Sequence, residues 1–338
     1  MIRKCCPECF GDNGLRENII PSLSSEIGKC SFCGSEDINV VEPVALIVYF
    51  ELLINVYELD PNGKNLVELL RDDWGLFNHP VMDNAHAREL LSEVLDNGEI
   101  VRMNFSPSEM YISTALAQWD QFRDELLYKN RYFLDEQVNT LRLKELLNHL
   151  KARNFPATWF RARINQDDIP YDIECMGAPP KRVTSYGRAN PPGIPYLYLG
   201  SIPETAVSEI RPHTGETATI AEFLLPQDLI IADLREPRRH VSPFVLSDTI
   251  DIGKMRADIP FLERLGQELT QPVLPKSAVL DYIPSQYLCE FIKKIGFHGV
   301  IYNSSVSEGI NLALFYPALA VGCSTSQVTV RKVTVQIE

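Results

Sequence analysis

Two Cys-x-x-Cys pairs near the start of the chain, Cys6-Pro7-Glu8-Cys9 and Cys30-Ser31-Phe32-Cys33, constrain its folding more than any other feature. At this spacing two tight turns deliver four thiolates to one tetrahedral ion, as in a four-cysteine zinc ribbon. Gly34, just past the second pair, supplies the backbone freedom such a turn needs. Cys5 adjoins the first pair and could stand in for Cys6 as a ligand. With all four positions filled by protein, the zinc would be structural, because a catalytic zinc keeps one position open. A disulfide framework fits less well. No signal peptide precedes these cysteines, and the other three, Cys175, Cys289 and Cys323, are scattered. A module spanning residues 1–40 cannot bury a core, so metal binding would supply most of its folding free energy.

Zinc ribbons often touch nucleic acid, but the charge balance argues against that here. The chain has 32 basic and 45 acidic side chains, a formal charge of −13, and such a surface repels phosphate backbones. A local basic patch at Arg3, Lys4, Arg16 and Lys29 stays open, though four scattered charges make a weak case for one. The ribbon is better read as capping the N-terminus or docking a protein partner. With 338 residues, 45% of them hydrophobic, the chain reads as a folded cytosolic protein of two or three domains. No stretch has the 18 or more uninterrupted apolar residues of a membrane span. The nearest, residues 44–57, is broken by Glu51 and Asn55 and reads as a buried helix started by Pro43.

Further along, Gly187 to Arg211 reads GRANPPGIPYLYLGSIPETAVSEIR. Arg188 and Asn190 sit in a Gly/Pro-rich turn, Tyr198 lies near the end of an apolar strand, and Glu209 falls on a helix opened by Ser201 or Pro203. Upstream, Thr158-Trp159-Phe160-Arg161-Ala162-Arg163 is a strand with embedded arginines. Downstream, Gly299-Val300-Ile301-Tyr302-Asn303-Ser304-Ser305 is a strand ending in hydroxyls, followed by Gly309-Ile310-Asn311-Leu312-Ala313-Leu314-Phe315. The order is Arg, then Gly-Arg-x-Asn-Pro with Tyr and Ala-x-x-Glu, then Tyr-x-Ser with Gly-x-Asn-x-x-Leu-Phe. Over residues 151–338 this resembles the RES domain, a family named for its arginine, glutamate and serine.

The resemblance implies an α+β fold akin to ADP-ribosyltransferase toxins, with a mixed sheet, and destruction of NAD as the activity. Some members use inorganic phosphate as the nucleophile. Carried over position by position, Arg161 is the arginine, Glu209 the glutamate and Ser304 the serine. Arg188, Tyr198, Asn190 and Tyr302 match further substrate-binding positions. Arg163 shares a strand face with Arg161, and Ser305 directly follows Ser304, which is preferred for the Tyr-x-Ser spacing.

The chemistry can be argued from the residue types alone. Cleaving the bond between nicotinamide and ribose expels a neutral amide from a cationic ring, so the leaving group needs no proton. Charge gathers on the sugar as an oxocarbenium-like ion, which a carboxylate such as Glu209 would stabilise, or the carboxylate would hold a ribose hydroxyl. Arg161 and Arg188 would grip the diphosphate with forked donors that lysine cannot copy. Tyr198 would pack on the nicotinamide or ribose, and Ser304 would bond the amide or a phosphate. Phosphate or water would arrive from solution as nucleophile. Transfer of ADP-ribose to a macromolecule uses the same cleavage, and a non-enzymatic zinc-ribbon binding module is the third reading. The family suggests a helix-turn-helix antitoxin as partner, and a homo-oligomer is compatible with the sequence.

Residues 41–152 read as a helical bundle, with helices at 64–73, 83–96 (Asp83 as N-cap, Gly98 as terminator), 106–128 and 135–153. Leu141, Leu143, Leu146, Leu147 and Leu150 form the apolar stripe of the last one. The run Arg71-Asp72-Asp73-Trp74-Gly75-Leu76-Phe77 resembles an N-terminal helical domain of some larger RES proteins that is related to HEPN bundles. HEPN nucleases pair an arginine with a histidine that follows after four to six intervening residues. Arg142 and His149 have that spacing, but Leu143 stands where a polar residue is usual, so they read as solvated. From a boundary near residue 152, strands are expected at 158–164, 194–199, 217–225, 229–234, 298–302, 311–316 and 328–337. Helices are expected at 204–210, 260–269 and 284–295. This order lacks strict βαβ alternation, which favours α+β over a doubly wound sheet.

Overall fold

The structure is a computed structural model that describes residues 2–274 and 276–334. The chain divides into two compact units, Met1–Leu116 with Pro237–Phe261, and Ala117–Glu236 with Leu262–Glu338. These units cut across the three successive segments expected from the sequence: residues 117–152 fall in the second unit, and 237–261 return to the first.

In the first unit, strands β1 (Glu26–Gly28) and β2 (Ile38–Val40) pair antiparallel beside the cysteines. Strands β3 (Tyr57–Asn65) and β4 (Asn104–Pro107) form a second antiparallel pair, which replaces the start of the helix expected at 106–128. Pro107 disfavours helix in the residue before it, and the helix begins only at Ala115, running to Tyr128. Helix Asn84–Val94 starts as expected, with the Asp83 carboxylate accepting from the N–H groups of Ala85 and His86 at 2.9 Å. It ends at Val94, with Asp96 in the left-handed region at φ 47°, so Gly98 is not its terminator. The core is a chain of rings: Phe10 lies 5.4 Å from Phe50 and 5.8 Å from Phe77, and Phe50 lies 4.9 Å from Phe244. Phe244, together with Ser242, whose hydroxyl donates to Asp12 Oδ1 at 2.8 Å, and Arg256, paired with Asp73 at 3.7 Å, ties residues 237–261 to this unit.

The Arg71–Phe77 run is built into that core. The Arg71 guanidinium donates to the carbonyls of Phe77 and Met82 and to Asn84 Oδ1. Asp73 accepts from the Tyr57 hydroxyl at 2.9 Å, and the same hydroxyl accepts from Trp74 Nε1 at 3.1 Å. Gly75 closes the helix Leu66–Trp74 at φ 66°, a conformation open to glycine at no steric cost.

The second unit is a mixed α+β fold around a seven-stranded sheet. Its strands are β5 (Thr158–Ile164), β6 (Leu197–Gly200), β7 (Thr217–Leu224), β8 (Ile231–Asp233), β9 (Gly299–Asn303), β10 (Ile310–Leu314) and β11 (Val321–Thr329). The order is β11-β7-β5-β6-β10-β9-β8, with β8 and β9 parallel and every other pair antiparallel. Alternation sorts the faces. Trp159, Leu197, Leu199, Phe223, Ile301 and Leu312 pack on one side, while Ala162 and Ile220 pack on the other against Ala206 of helix Pro203–Glu209.

Several boundaries differ from expectation for local reasons. Pro195 cannot donate to a ladder, so β6 starts two residues beyond it. The last strand, expected at 328–337, is β11; positions 335–337 lie outside the described residues. Its run VGCSTSQVT is almost wholly exposed at the sheet edge and carries no hydrophobic alternation to read. Pro260, where a helix is expected to start, lies inside helix Thr249–Thr270. In helix Thr140–Asn148, Leu143, Leu146 and Leu147 are buried but Leu141 is 81% exposed. Two residues from Leu143, it points about 200° round the helix and leaves the stripe. Arg142 pairs with Glu145 at 2.8 Å, and burial lowers the His149 pKa below its ordinary value. Among the described residues no helix is long and apolar enough to cross a membrane.

Within this unit Glu268 is a buried carboxylate that accepts from Trp119 Nε1 at 3.2 Å and pairs with Arg123 at 3.3 Å and Arg264 at 3.0 Å. Glu268→Ala leaves the indole N–H and two guanidiniums without their common acceptor. The outer faces of those arginines reach water, so the expected loss is about 2–3 kcal/mol, measured as a lower midpoint in urea unfolding.

Candidate functional site

Strands β5 and β6 share one paired position, Phe160 opposite Gly200. Both strands line a cavity of about 490 Å³, together with helix Pro203–Glu209, the turn at Tyr186–Arg188, Tyr282, Tyr302 and Asn311. Gly200 is a requirement of this geometry, since a Cβ there would lie 2.7 Å from the backbone nitrogen of Ala206. The glycine lets the helix sit directly on the strand, and Pro203 at its first turn sets the direction in which it leaves.

Glu209 is the last residue of that helix. Its Oε1 accepts from Ser304 Oγ at 2.7 Å and from Asn311 Nδ2 at 2.6 Å. Ser304 follows β9, and its hydroxyl also accepts from the Val306 N–H at 3.2 Å. A contact of 2.9 Å between Thr205 Oγ1 and Ser307 Oγ pins the same loop to the helix. The two adjacent serines therefore differ: Ser304 holds Glu209, and Ser305 lines the cavity.

The doubled arginines also separate. Arg161 lines the cavity and donates through Nη1 to the carbonyls of Met176 and Gly177. Burial, and secondly the charge of Arg163, lower its pKa to about 10, so it remains a cation at neutral pH. Arg163 donates to the Cys175 carbonyl at 2.8 Å and lies 4.1 Å over the Tyr171 ring, outside the cavity wall.

Arg188 donates to the Gln271 carbonyl at 2.8 Å and lies 5.1 Å over the Tyr282 ring. Its turn is held on every side. The Tyr198 hydroxyl accepts from the Ala189 N–H at 2.9 Å and donates to Asn190 Oδ1 at 2.7 Å. Gln286 Nε2 donates to the Gly187 carbonyl at 2.9 Å, and Ser285 Oγ to the Arg188 carbonyl at 2.6 Å. A Cβ on Gly187 would lie 2.5 Å from both Asn190 Oδ1 and the Tyr198 hydroxyl.

Asn190, expected to touch substrate, is buried, and its Nδ2 donates to the carbonyls of Ser185 and Pro191 at 3.0 Å. It is spent on the turn and stands outside the cavity wall. Tyr198 and Tyr302 do line the cavity, and burial raises both phenol pKa values, so they present neutral rings. Sequence reading gave no role to Asn311, Arg211 or Tyr282. Asn311 stood in the Gly-x-Asn run and Arg211 at the end of the Gly187–Arg211 unit. Tyr282 had no local signal.

The charges of the wall are Arg161, Arg188, Arg211 and Glu209. Carbonyls, not carboxylates, anchor the first two guanidiniums, so their charge is not cancelled. Arg211 sits in the left-handed region at φ 49°, and its guanidinium has no hydrogen bond or ion pair among the described residues. A wall with three cations, one fixed carboxylate and several tyrosine rings suits an anionic, aromatic ligand.

In the other unit, the sulfurs of Cys6, Cys9, Cys30 and Cys33 lie within 4.8 Å of one another. The Cys6–Cys33 and Cys9–Cys30 pairs are 3.4 and 3.3 Å apart. Cys5 is not among them; its backbone bridges to Val41. Cys30 Sγ accepts from the N–H groups of Phe32 and Cys33, as a thiolate in a metal-binding knuckle does. Donors from Cys6 and Cys9 hold the Cys30 pKa far below that of an ordinary thiol. The same contacts push Cys6 up to about 12 and Cys9 well above its usual value. Four sulfurs this close share protons, and a bound cation would let all four ionise.

The family model described as RES domain matches residues 158–332, just over half of the chain. Among solved structures, one similar chain comes from the crystal structure of the M. tuberculosis MbcT-MbcA toxin-antitoxin complex. It is 13% identical with a TM-score of 0.34, and the alignment covers 56% of this chain and 96% of that one. No curated protein matches.

Proposed function

Because this chain belongs to the RES domain family, we propose that it cleaves the nicotinamide–ribose bond of NAD, acting as a toxin or defence effector. The observation that carries the reading is Glu209, fixed by Ser304 and Asn311 as the one carboxylate in a wall with three guanidiniums. Arg161 and Arg188 grip the two charges of the diphosphate. Tyr198 and Tyr302 pack their neutral rings on the nicotinamide and its ribose. As the C–N bond lengthens, its electron pair leaves with nicotinamide, and Glu209 faces the positive charge that builds on the sugar. A toxin needs restraint in the cell that makes it, so a neutralising protein partner is part of this reading.

Arg211 favours an anionic nucleophile over water. The diphosphate matches Arg161 and Arg188, which leaves one unpaired cation two residues from Glu209. Inorganic phosphate would meet it there. A phosphate oxygen bonds the sugar carbon as nicotinamide departs, yielding nicotinamide and an ADP-ribose phosphate. Cys6, Cys9, Cys30 and Cys33 would hold zinc as a structural ion, joining the two short segments that carry them.

Incubating the purified protein with NAD, with and without phosphate, should release nicotinamide in a phosphate-dependent way. Glu209→Ala should lower kcat by about 10²–10³ without unfolding the protein. Intact NAD after prolonged incubation of folded wild type with phosphate would overturn the reading, and label appearing on protein or RNA would redirect it to a transferase. Arg211→Ala should raise the KM for phosphate about tenfold or more and leave the KM for NAD unchanged. Elemental analysis should find one zinc per chain, and Cys30→Ser or a strong chelator should lower the melting temperature of the metal-bearing protein.

A further inference from the structure

Glu209 ends a short helix and is itself exposed, so nothing in its own element fixes its carboxylate. Two donors from other elements do so, and both converge on one oxygen, Oε1. Among the described residues Oε2 has no partner. Asn311 is the more rigid of the two donors. It is 5% exposed and stands on central strand β10, with its backbone opposite Gly200 on one side and Tyr302 on the other. Ser304 belongs to a loop. The amide is also an uncharged donor: it orients the carboxylate without cancelling its charge, as a lysine or arginine in the same place would.

From this geometry we infer that Asn311 is a positioning residue that clamps Glu209 through Oε1 and thereby assigns Oε2 as the oxygen facing the sugar. The inference rests on the NAD-cleaving reading and deepens it. When the C–N bond breaks and its electron pair leaves with nicotinamide, the electron-poor sugar carbon needs a fixed negative charge beside it. A carboxylate free to rotate would have to be reoriented during the reaction. Ser304 alone leaves one donor on Oε1 and one axis of rotation.

The test is a mutant cycle with nicotinamide release as the readout. Asn311→Ala should lower kcat by tens-fold to about a hundredfold while the KM for NAD stays within about twofold. In a Glu209→Gln background the same change should cost almost nothing further, because there is no carboxylate left to aim. Asn311→Asp keeps the shape and carries the test if the alanine variant does not fold. It places two carboxylates together, and such a pair holds one proton with a raised apparent pKa. The protonated aspartate can donate to Glu209 as the amide did. Activity of Asn311→Asp should therefore be lowest near pH 8 and recover as the pH falls to about 6. The other charged and ionisable groups of the wall are Tyr198 and Tyr302, whose phenol pKa values burial raises, and the guanidiniums of Arg161, Arg188 and Arg211.

A loss seen only in KM, a loss fully additive with Glu209→Gln, or a wild-type pH profile for Asn311→Asp would overturn the inference while leaving NAD cleavage standing. Absence of nicotinamide release from folded wild type would sink both.

Discussion

The candidate site depends on the absence of one Cβ. At Gly200 the backbone of helix Pro203–Glu209 comes so close to strand β6 that any side chain would push it away. That approach sets where the helix ends, and so where Glu209 sits relative to Asn311 on the next strand. It occurs at the one position where β5 and β6 still pair. Helix placement and strand pairing thus meet at one residue, and the carboxylate inherits its position from that meeting point.

Around this point the side chains divide into those that build and those that face the cavity. Asn190, Ser285, Gln286 and the hydroxyl of Tyr198 all spend their hydrogen bonds on the turn that carries Arg188. Ser304, Asn311 and the contact between Thr205 and Ser307 do the same for Glu209. A site that must hold charge against solvent needs such support, because a long arginine or glutamate side chain otherwise samples many rotamers.

Much of this was readable in the sequence, and the failures have local causes. The turn, strand and helix from Gly187 to Arg211 could be placed because Gly, Pro and apolar residues mark them. The cysteine pairs come together as their spacing implies, with Cys6 and not Cys5 in the set. Asn190 could be placed in its turn but its partners could not, because a turn asparagine looks the same whether it faces a ligand or its own backbone. Asn311 gained no role because its partner lies on a helix far away in the chain, and periodicity carries no such information. The β3–β4 pair was missed because both strands are mostly polar and bend at turn residues, while β11 was displaced because an exposed edge strand has no buried face to reveal its register.

The anchoring of the arginines shows what the cavity has given up to bind an anion. A buried cation is ordinarily matched by a carboxylate, which offsets its desolvation and cancels its field. Arg161 is held by carbonyl oxygens, and its lowered pKa reports an uncompensated desolvation. Arg188 likewise meets a carbonyl and an aromatic face. Carbonyls fix the direction of a guanidinium but leave its net charge intact, so the field remains for a ligand. Glu209 is the converse case, since its donors are a hydroxyl and an amide and its negative charge is equally uncancelled. Opposite charges thus stand in one cavity, each oriented by neutral partners, and a substrate with an anionic diphosphate beside a sugar that turns cationic is the kind of molecule that meets both.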